Sequence, residues 1–292
     1  MSVKTYNYYN KRAYVVGDIH GHFDIIKNQI KTYKITDSVI IFAGDIGFGF
    51  EKAEHYKQIF PKLNKVMKTQ GNVLLFVRGN HDDPSYFQEE KINYSNIKSI
   101  PDYSVINFYQ DWDDEMKESL KFSILCVGGG VSIDRQYRLN AEVASMIEYK
   151  YWHPNASKED IEKHCKKYYW NNELPFYDVD KLDEITKEGY NIAYVVSHTA
   201  PDFCYPYTKK GIESWMRLDE NLEKDADFER NTMTSIYNYL INHKHILTGW
   251  YYGHFHSHYE SYYDNVKFTL LDCEHHKWDM VEIGYKPMEI MI

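Results

Sequence analysis

The apolar positions in the first third of the chain fall in short, nearly unbroken runs separated by stretches of helical spacing. RAYVVGD (12–18), SVIIFAGD (38–45) and NVLLFVRGNHDD (72–83) each hold four or more consecutive apolar residues and then a glycine turn. Runs of this kind predict strands buried on both faces. Between them, HFDIIKNQIKTY (22–33) and EKAEHYKQIFPKLNKVMKT (51–69) repeat apolar residues every three or four positions, which predicts helices. The second is expected to be interrupted or kinked at Pro61, because proline lacks the N–H and crowds the preceding turn. Asp83 and Pro84 supply a cap and a first-turn residue for a short helix. Strand and helix alternating at this period predict parallel βαβ units.

The pattern changes after the strand KFSILCVGGG (121–130). From Val131 to Gly189 the chain reads as helical and charged with few strand signals. This predicts a mostly helical insertion over one edge, a lid within a single domain spanning 1–292. Strand patterns resume at NIAYVVSHTAP (191–201), ILTGWYYGHFH (246–256) and NVKFTLLDCE (265–274).

Polar residues gather where these strands end. In chain order they are Asp18 and His20, Asp45, Asn80 with His81 and Asp82, His198, then His254 and His256. Parallel strands bring such ends to one edge of the sheet, where open α/β folds place ligands. Each piece alone has an ordinary reading: Gly-Asp is a common turn, Asn-His-Asp is often a turn with a helix cap, and His198 suits a loop. Their joint occurrence, always after an apolar strand, is what a chance distribution does not supply. Carboxylate, amide and imidazole donors suit Mn, Fe or Zn. Seven ligands exceed one tetrahedral zinc with an open position and suit two metals sharing a carboxylate. Two such ions can clamp a phosphoryl group and acidify a water.

Composition narrows the class further. A formal net charge of −9 gives no global field that draws the chain to nucleic-acid phosphates, so positive charge for a phosphate must be local. The four cysteines form no C-x-x-C pair, which predicts a reduced, cytoplasmic protein. The start MSVKTYNYYNKR has no apolar signal core, and no apolar run reaches membrane-spanning length. Tyrosine is so frequent, at 28 residues, that no single one is evidence of function.

The series GDIHG, GDIG, RGNHD, SHTAP and GHFH, from Gly17 to His256, resembles the calcineurin-like metallophosphoesterase superfamily. The resemblance implies a four-layer α/β/β/α sandwich and a dinuclear centre that hydrolyses phosphate esters by attack of a bridging hydroxide. It implies that Asp18, His20 and His256 hold one metal, that Asp45 bridges, and that Asn80, His198 and His254 hold the other. The pair of divalent ions is expected to be Mn, with Fe, Zn, Ni or Co as alternatives. His81 is implied to contact phosphate and protonate the leaving group, with Asp82 orienting its ring.

GDIHGHF and RGNHD resemble the serine/threonine phosphatase branch, which reads Gly-Asp-x-x-Asp-Arg-Gly at the second block. Here GDIGFGF places Phe48 and Gly49 where the second Asp and the Arg stand. Arg135 and Arg138, in GGGVSIDRQYR, are candidate replacements for phosphate binding, with salt bridges to the insertion's acids as the competing reading. Arg78 is a further candidate, or a brace for the His81 loop. The expected activity is a phosphomonoesterase acting on a phosphoprotein or nucleotide. The alternatives are a phosphodiesterase acting on nucleotides, cyclic nucleotides or nucleic-acid ends, and a silent scaffold of the same fold, which should not bind two metals. A helix-borne His-Asp hydrolase fits less well, since His81-Asp82 follows a strand. The expected partner is a phosphorylated substrate, with no membrane.

Overall fold

The computed structural model describes residues 2–112, 117–207, 212–273 and 277–284. In chain order the elements are β1 (Thr5–Tyr9), β2 (Arg12–Val16), α1 (Phe23–Thr32), β3 (Ser38–Phe42), α2 (Ala53–Thr69), β4 (Val73–Phe76), α3 (Ser85–Gln88), β5 (Ile97–Ser99), β6 (Ser104–Trp112) and β7 (Lys117–Val127). There follow α4 (Arg135–Trp152), α5 (Lys158–His164), α6 (Val179–Lys187), β8 (Ile192–Ser197), α7 (Glu213–Met216), α8 (Leu222–Asn242), β9 (Gly249–Tyr252), β10 (Tyr259–Tyr263), β11 (Val266–Leu270) and β12 (Met280–Ile283).

Among the described residues the strands form two sheets, ordered β12-β2-β3-β4-β5 and β1-β6-β7-β8-β9-β11-β10. In the first, β2, β3, β4 and β5 are parallel, as the strand–helix alternation predicts, with β12 antiparallel at the edge. The unbroken apolar runs are explained by what lies on each face. Ala13, Val15, Val39, Ile41, Val73 and Leu75 meet Ile106, Phe108, Ile124, Val196 and Tyr251 of the second sheet. The alternate residues Tyr14, Val16, Ile40, Phe42, Leu74 and Phe76 pack on Phe23, Ile26, Phe60 and Met67 of α1 and α2. On the far side, Leu125, Val195, Trp250 and Phe268 pack on α6 and α8. The result is helices, sheet, sheet, helices, the expected four-layer sandwich.

One expectation is corrected: the helix is not interrupted at Pro61. Helix α2 runs through Pro61 as one 17-residue element. The lost hydrogen bond is offset by burial of Tyr56, Phe60, Leu63 and Met67 on the sheet. Within the 131–189 stretch the helices differ in burial. Apart from Arg135, α4 buries nothing, whereas α6 drives Leu182 and Ile185 into the core of the second sheet. No described helix is long and apolar enough to cross a membrane.

Candidate metal centre

The C-terminal ends of β2, β3, β4, β8 and β9 converge, and the turns that follow them carry every ligand named from the sequence. Asp18, His20, Asp45 and His256 place their donor atoms within 4.8 Å of one another. His256 Nε2 stands 3.3 Å from Asp18 Oδ2 and 3.1 Å from His20 Nε2. Beside this group, His198 Nε2 lies 2.7 Å from Asn80 Oδ1 and 3.4 Å from Asp45 Oδ1. The His254 ring is 4.8 Å from that of His198. Asp45 therefore turns Oδ1 toward His198 and Oδ2 toward His20, at 3.9 Å. That split is what a shared carboxylate requires.

The turns that carry these residues are strained. His20, Asp45, His254 and His256 all have left-handed backbones, with φ of 42°, 45°, 72° and 46°. Each costs on the order of 1 kcal/mol or more relative to an ordinary conformation, and such strain collects at functional sites. A Cβ at Gly253 would lie 2.0 Å from Asp18 Oδ1, so the His254 turn closes on the carboxylate only because position 253 is bare. His254 N then donates to Asp18 Oδ2 at 3.1 Å.

The donor set fits a pair of divalent ions. His198 is fully buried, yet both ring nitrogens face acceptors, Nδ1 toward Ala43 O at 2.9 Å and Nε2 toward Asn80 and Asp45. An imidazole so placed either carries a positive charge or donates Nδ1–H to the carbonyl and offers Nε2 to a metal. Burial lowers its pKa, but Asp45 and Asp18 outweigh this and raise it. Burial raises Asp45, yet His198, His81 and His20 together hold it well below the usual carboxylate range. His256 is raised by its bond to Asp18, while burial and then His198 push His254 well below its ordinary value, leaving it neutral and able to ligate.

The pattern of a calcineurin-like phosphoesterase matches residues 11–202. The chain belongs to that family. Members of the family typically hold a dinuclear metal centre, and they are hydrolases of phosphate esters. Comparison with curated protein sequences finds no match. Among solved structures the chain is similar to the phosphopantetheinyl hydrolase PptH of Mycobacterium tuberculosis, with 11% identity over 98% of each chain and a TM-score of 0.40. It is similar to a dimetal phosphatase from Danio rerio, with 10% identity over 90% of this chain and 87% of that one, at a TM-score of 0.45. It is also similar to GAP50, the anchor in the inner membrane complex of Plasmodium, with 12% identity over 89% of this chain and 70% of that one, at 0.41.

In this calcineurin-like phosphoesterase His81 faces the centre from the side, its Nε2 3.7 Å from Asp45 Oδ2. Burial lowers its pKa, Asp45 raises it, and Arg138 lowers it again, with a net fall. Arg138, in the first turn of α4, brings Nη2 to 3.4 Å from His81 Nε2 while Nε donates to Asp134 Oδ1 at 2.8 Å. Both residues line an open cleft of about 840 Å³ above the centre, with Tyr205, Tyr207, Trp215 and Phe255 on its wall.

Three sequence expectations do not survive the geometry. Asp82 does not orient the His81 ring. Its buried carboxylate accepts from Ile46 N at 3.1 Å, Gly47 N at 2.7 Å, Phe48 N at 2.9 Å and Gly79 N at 2.8 Å. It therefore staples the turn after β3 to the turn after β4. Burial, and then Asp45, push it up to about 6 against these donors. Arg78 is buried and spends its guanidinium on Asp102 and on the carbonyls of Asn172, Glu173 and Leu174. Arg135 is held between Asp219 and Asp225. Neither reaches the cleft, since their donors are already taken.

The departures at Phe48 and Gly49 also have physical reasons. Phe48 is fully buried and stacks on Tyr86 at 5.2 Å, anchoring the turn in the helix-side core. Over Gly49 lies the ring of Trp170, whose Cζ2 would sit 2.6 Å from a Cβ there. The place where the other branch carries an arginine is thus filled from the 131–189 stretch.

Sequence reading missed four polar groups. Ser132 and Glu173 contact Asn80 in series, and Glu229 of α8 holds Val131 N at 2.6 Å and the Thr199 hydroxyl. Burial pushes Glu173 up to about 8, opposed by the Ser132 hydroxyl and N–H. Cys273 lies within 4.8 Å of the His20 and His256 donors. Burial, Asp18 and Asp45 push its thiol up to about 12, so without a metal it stays neutral.

Proposed function

We propose that this protein is a metal-dependent phosphomonoesterase whose preferred ions are Mn²⁺. The observation that carries this reading is the division of Asp45 between two donor groups, with His81 and Arg138 facing the same cleft. Asp18, His20 and His256 would hold one ion, Asn80, His198 and His254 the other, and Asp45 would serve both. The predominance of oxygen and imidazole donors supports manganese. When bound, the two ions supply positive charge that polarises the phosphoryl group and acidifies a water. Arg138 binds a phosphoryl oxygen, and its bond to Asp134 aims the guanidinium. His81 takes the position of a group that protonates the departing oxygen, and its burial, together with the nearby Arg138, makes its proton easy to release. Tyr205, Tyr207, Trp215 and Phe255 exclude water from the leaving-group side and favour a leaving group with apolar or aromatic surface, as in a nucleotide or an aromatic side chain.

A single phosphate-facing arginine and an open cleft also suit a phosphodiester of a nucleotide, which is the second reading. A hydrolysis panel with Mn²⁺ decides between them. It sets a nucleoside monophosphate and a phosphopeptide beside a cyclic nucleotide and bis-nitrophenyl phosphate. Higher kcat/KM on the monoesters is expected; faster turnover of the diesters would overturn the monoesterase reading. The four free cysteines support a reducing compartment such as the cytoplasm.

A further inference from the structure

The Asn80 side chain has two unlike ends, and just one can bind a cation. Turned as it is, Oδ1 faces His198 Nε2 at 2.7 Å and Nδ2 faces Ser132 Oγ at 2.8 Å. The reverse orientation would present an NH₂ group to the centre. What sets the orientation is the proton of the Ser132 hydroxyl. Ser132 Oγ lies 2.5 Å from Glu173 Oε2, and Ser132 N donates to Glu173 Oε1 at 3.0 Å. A hydroxyl has one proton to give. When the carboxylate takes it, Ser132 has only lone pairs left for Asn80, so it accepts from Nδ2 and Oδ1 must face the cluster.

The carboxylate is itself held in place. Glu173 is fully buried, and its carbonyl accepts from Arg78 Nη1 at 2.8 Å and from Gly130 N at 3.1 Å. Arg78 stands two residues before Asn80, so the strand end that presents Asn80 also grips the segment that carries Glu173. Burial works against the anionic form of Glu173, which is the form that fixes the amide; divalent ions at the centre would favour it.

We propose that Glu173 is a positioning residue of the metal centre, acting through Ser132 to hold the Asn80 amide oxygen toward His198. This rests on the reading of Asn80 as a ligand. Outer partners of this kind typically change metal affinity by about 10–100-fold.

The test measures metal content and affinity, by elemental analysis and chelator competition, together with the melting temperature of the metal-free protein. Glu173→Gln keeps the shape but inverts the chain: its NH₂ donates to Ser132 Oγ, the serine proton is freed for Asn80 Oδ1, and the amide turns. Ser132→Ala removes the link, whereas Ser132→Thr keeps the hydroxyl. Glu173→Gln and Ser132→Ala are expected to lose affinity for one of two ions by about 10–100-fold, with the metal-free melting temperature near wild type and Ser132→Thr near wild type in both. Should Glu173→Gln fail to fold, the Ser132 pair carries the same test. Wild-type affinity in both Glu173→Gln and Ser132→Ala, while Asn80→Ala loses an ion, would overturn the positioning role. Two ions bound normally by Asn80→Ala would instead overturn the ligand reading.

Discussion

Asp82→Asn distinguishes a residue that shapes two turns from one that tunes a catalytic histidine. The carboxylate accepts four backbone N–H groups, from Ile46, Gly47, Phe48 and Gly79. Asparagine keeps one acceptor oxygen and turns the other position into a donor. If the oxygen stays with Gly47 and Phe48, the NH₂ meets the N–H groups of Ile46 and Gly79, and two buried donors lose their partner. Hydrogen bonds to a charged group contribute ~1.5–3 kcal/mol each. Relief of the burial cost of the anion offsets part of this, which leaves a net loss of roughly 2–4 kcal/mol. For a domain of this size that is a fall in Tm of about 3–7 °C. Thermal unfolding of the metal-free protein gives the first readout. The second is kcat/KM on substrates of differing leaving-group pKa. A uniform drop across all leaving groups is expected, because both turns carry proposed ligands. An unchanged Tm, with loss confined to alkoxide leaving groups, would refute this reasoning and return Asp82 to the role of orienting His81.

The other substitutions read the cleft. His81→Ala should keep two metals and lose about 10²–10⁴-fold on alkyl phosphates but less on nitrophenyl phosphate. Equal losses on both would leave it a phosphate binder alone. Arg138→Ala should cost about 1.5–3 kcal/mol in transition-state binding, since it removes a charge-assisted bond, with metal content unchanged. Kinetics like wild type would place the phosphate elsewhere. Arg78→Ala should instead act on stability: it removes the buried guanidinium that binds half-buried Asp102 and the carbonyls of Asn172, Glu173 and Leu174, and a drop in Tm at least as large as that of Asp82→Asn is expected in a thermal melt.

The parts of the fold written in the sequence were those whose cause is local. Unbroken apolar runs such as SVIIF mark strands covered on both faces, and the glycine turns after them mark the edge where ligands gather. The strand β6 is less legible because Asn107 interrupts Val105, Ile106 and Phe108. Inside the sheet that amide is satisfied by Ser123 and Asn7, 16 residues after it and 100 before it in the chain. The residues that gather at the candidate centre were legible for the same local reason, since each follows its strand within a few positions. The roles of Asp82, Arg78 and Arg135 were not. Each depends on partners supplied by a distant segment: the Ile46–Phe48 turn for Asp82, residues 172–174 for Arg78, Asp219 and Asp225 for Arg135. Trp170 over Gly49 and Glu173 behind Ser132 were hidden in the same way. Both come from the charged 131–189 stretch, where periodicity reports helices but not which irregular segments turn inward.

The central claim is that Asp45 holds two divalent ions on which phosphate-ester hydrolysis depends. Metal-stripped protein titrated with Mn²⁺, with bound metal and phosphatase turnover measured on the same samples for wild type and Asp45→Asn, tests it most directly. Wild type is expected to be inactive when stripped and to regain activity as the second equivalent binds, while Asp45→Asn holds fewer than two ions and stays inactive. Full activity in the stripped protein, or two ions and wild-type turnover in Asp45→Asn, would contradict it.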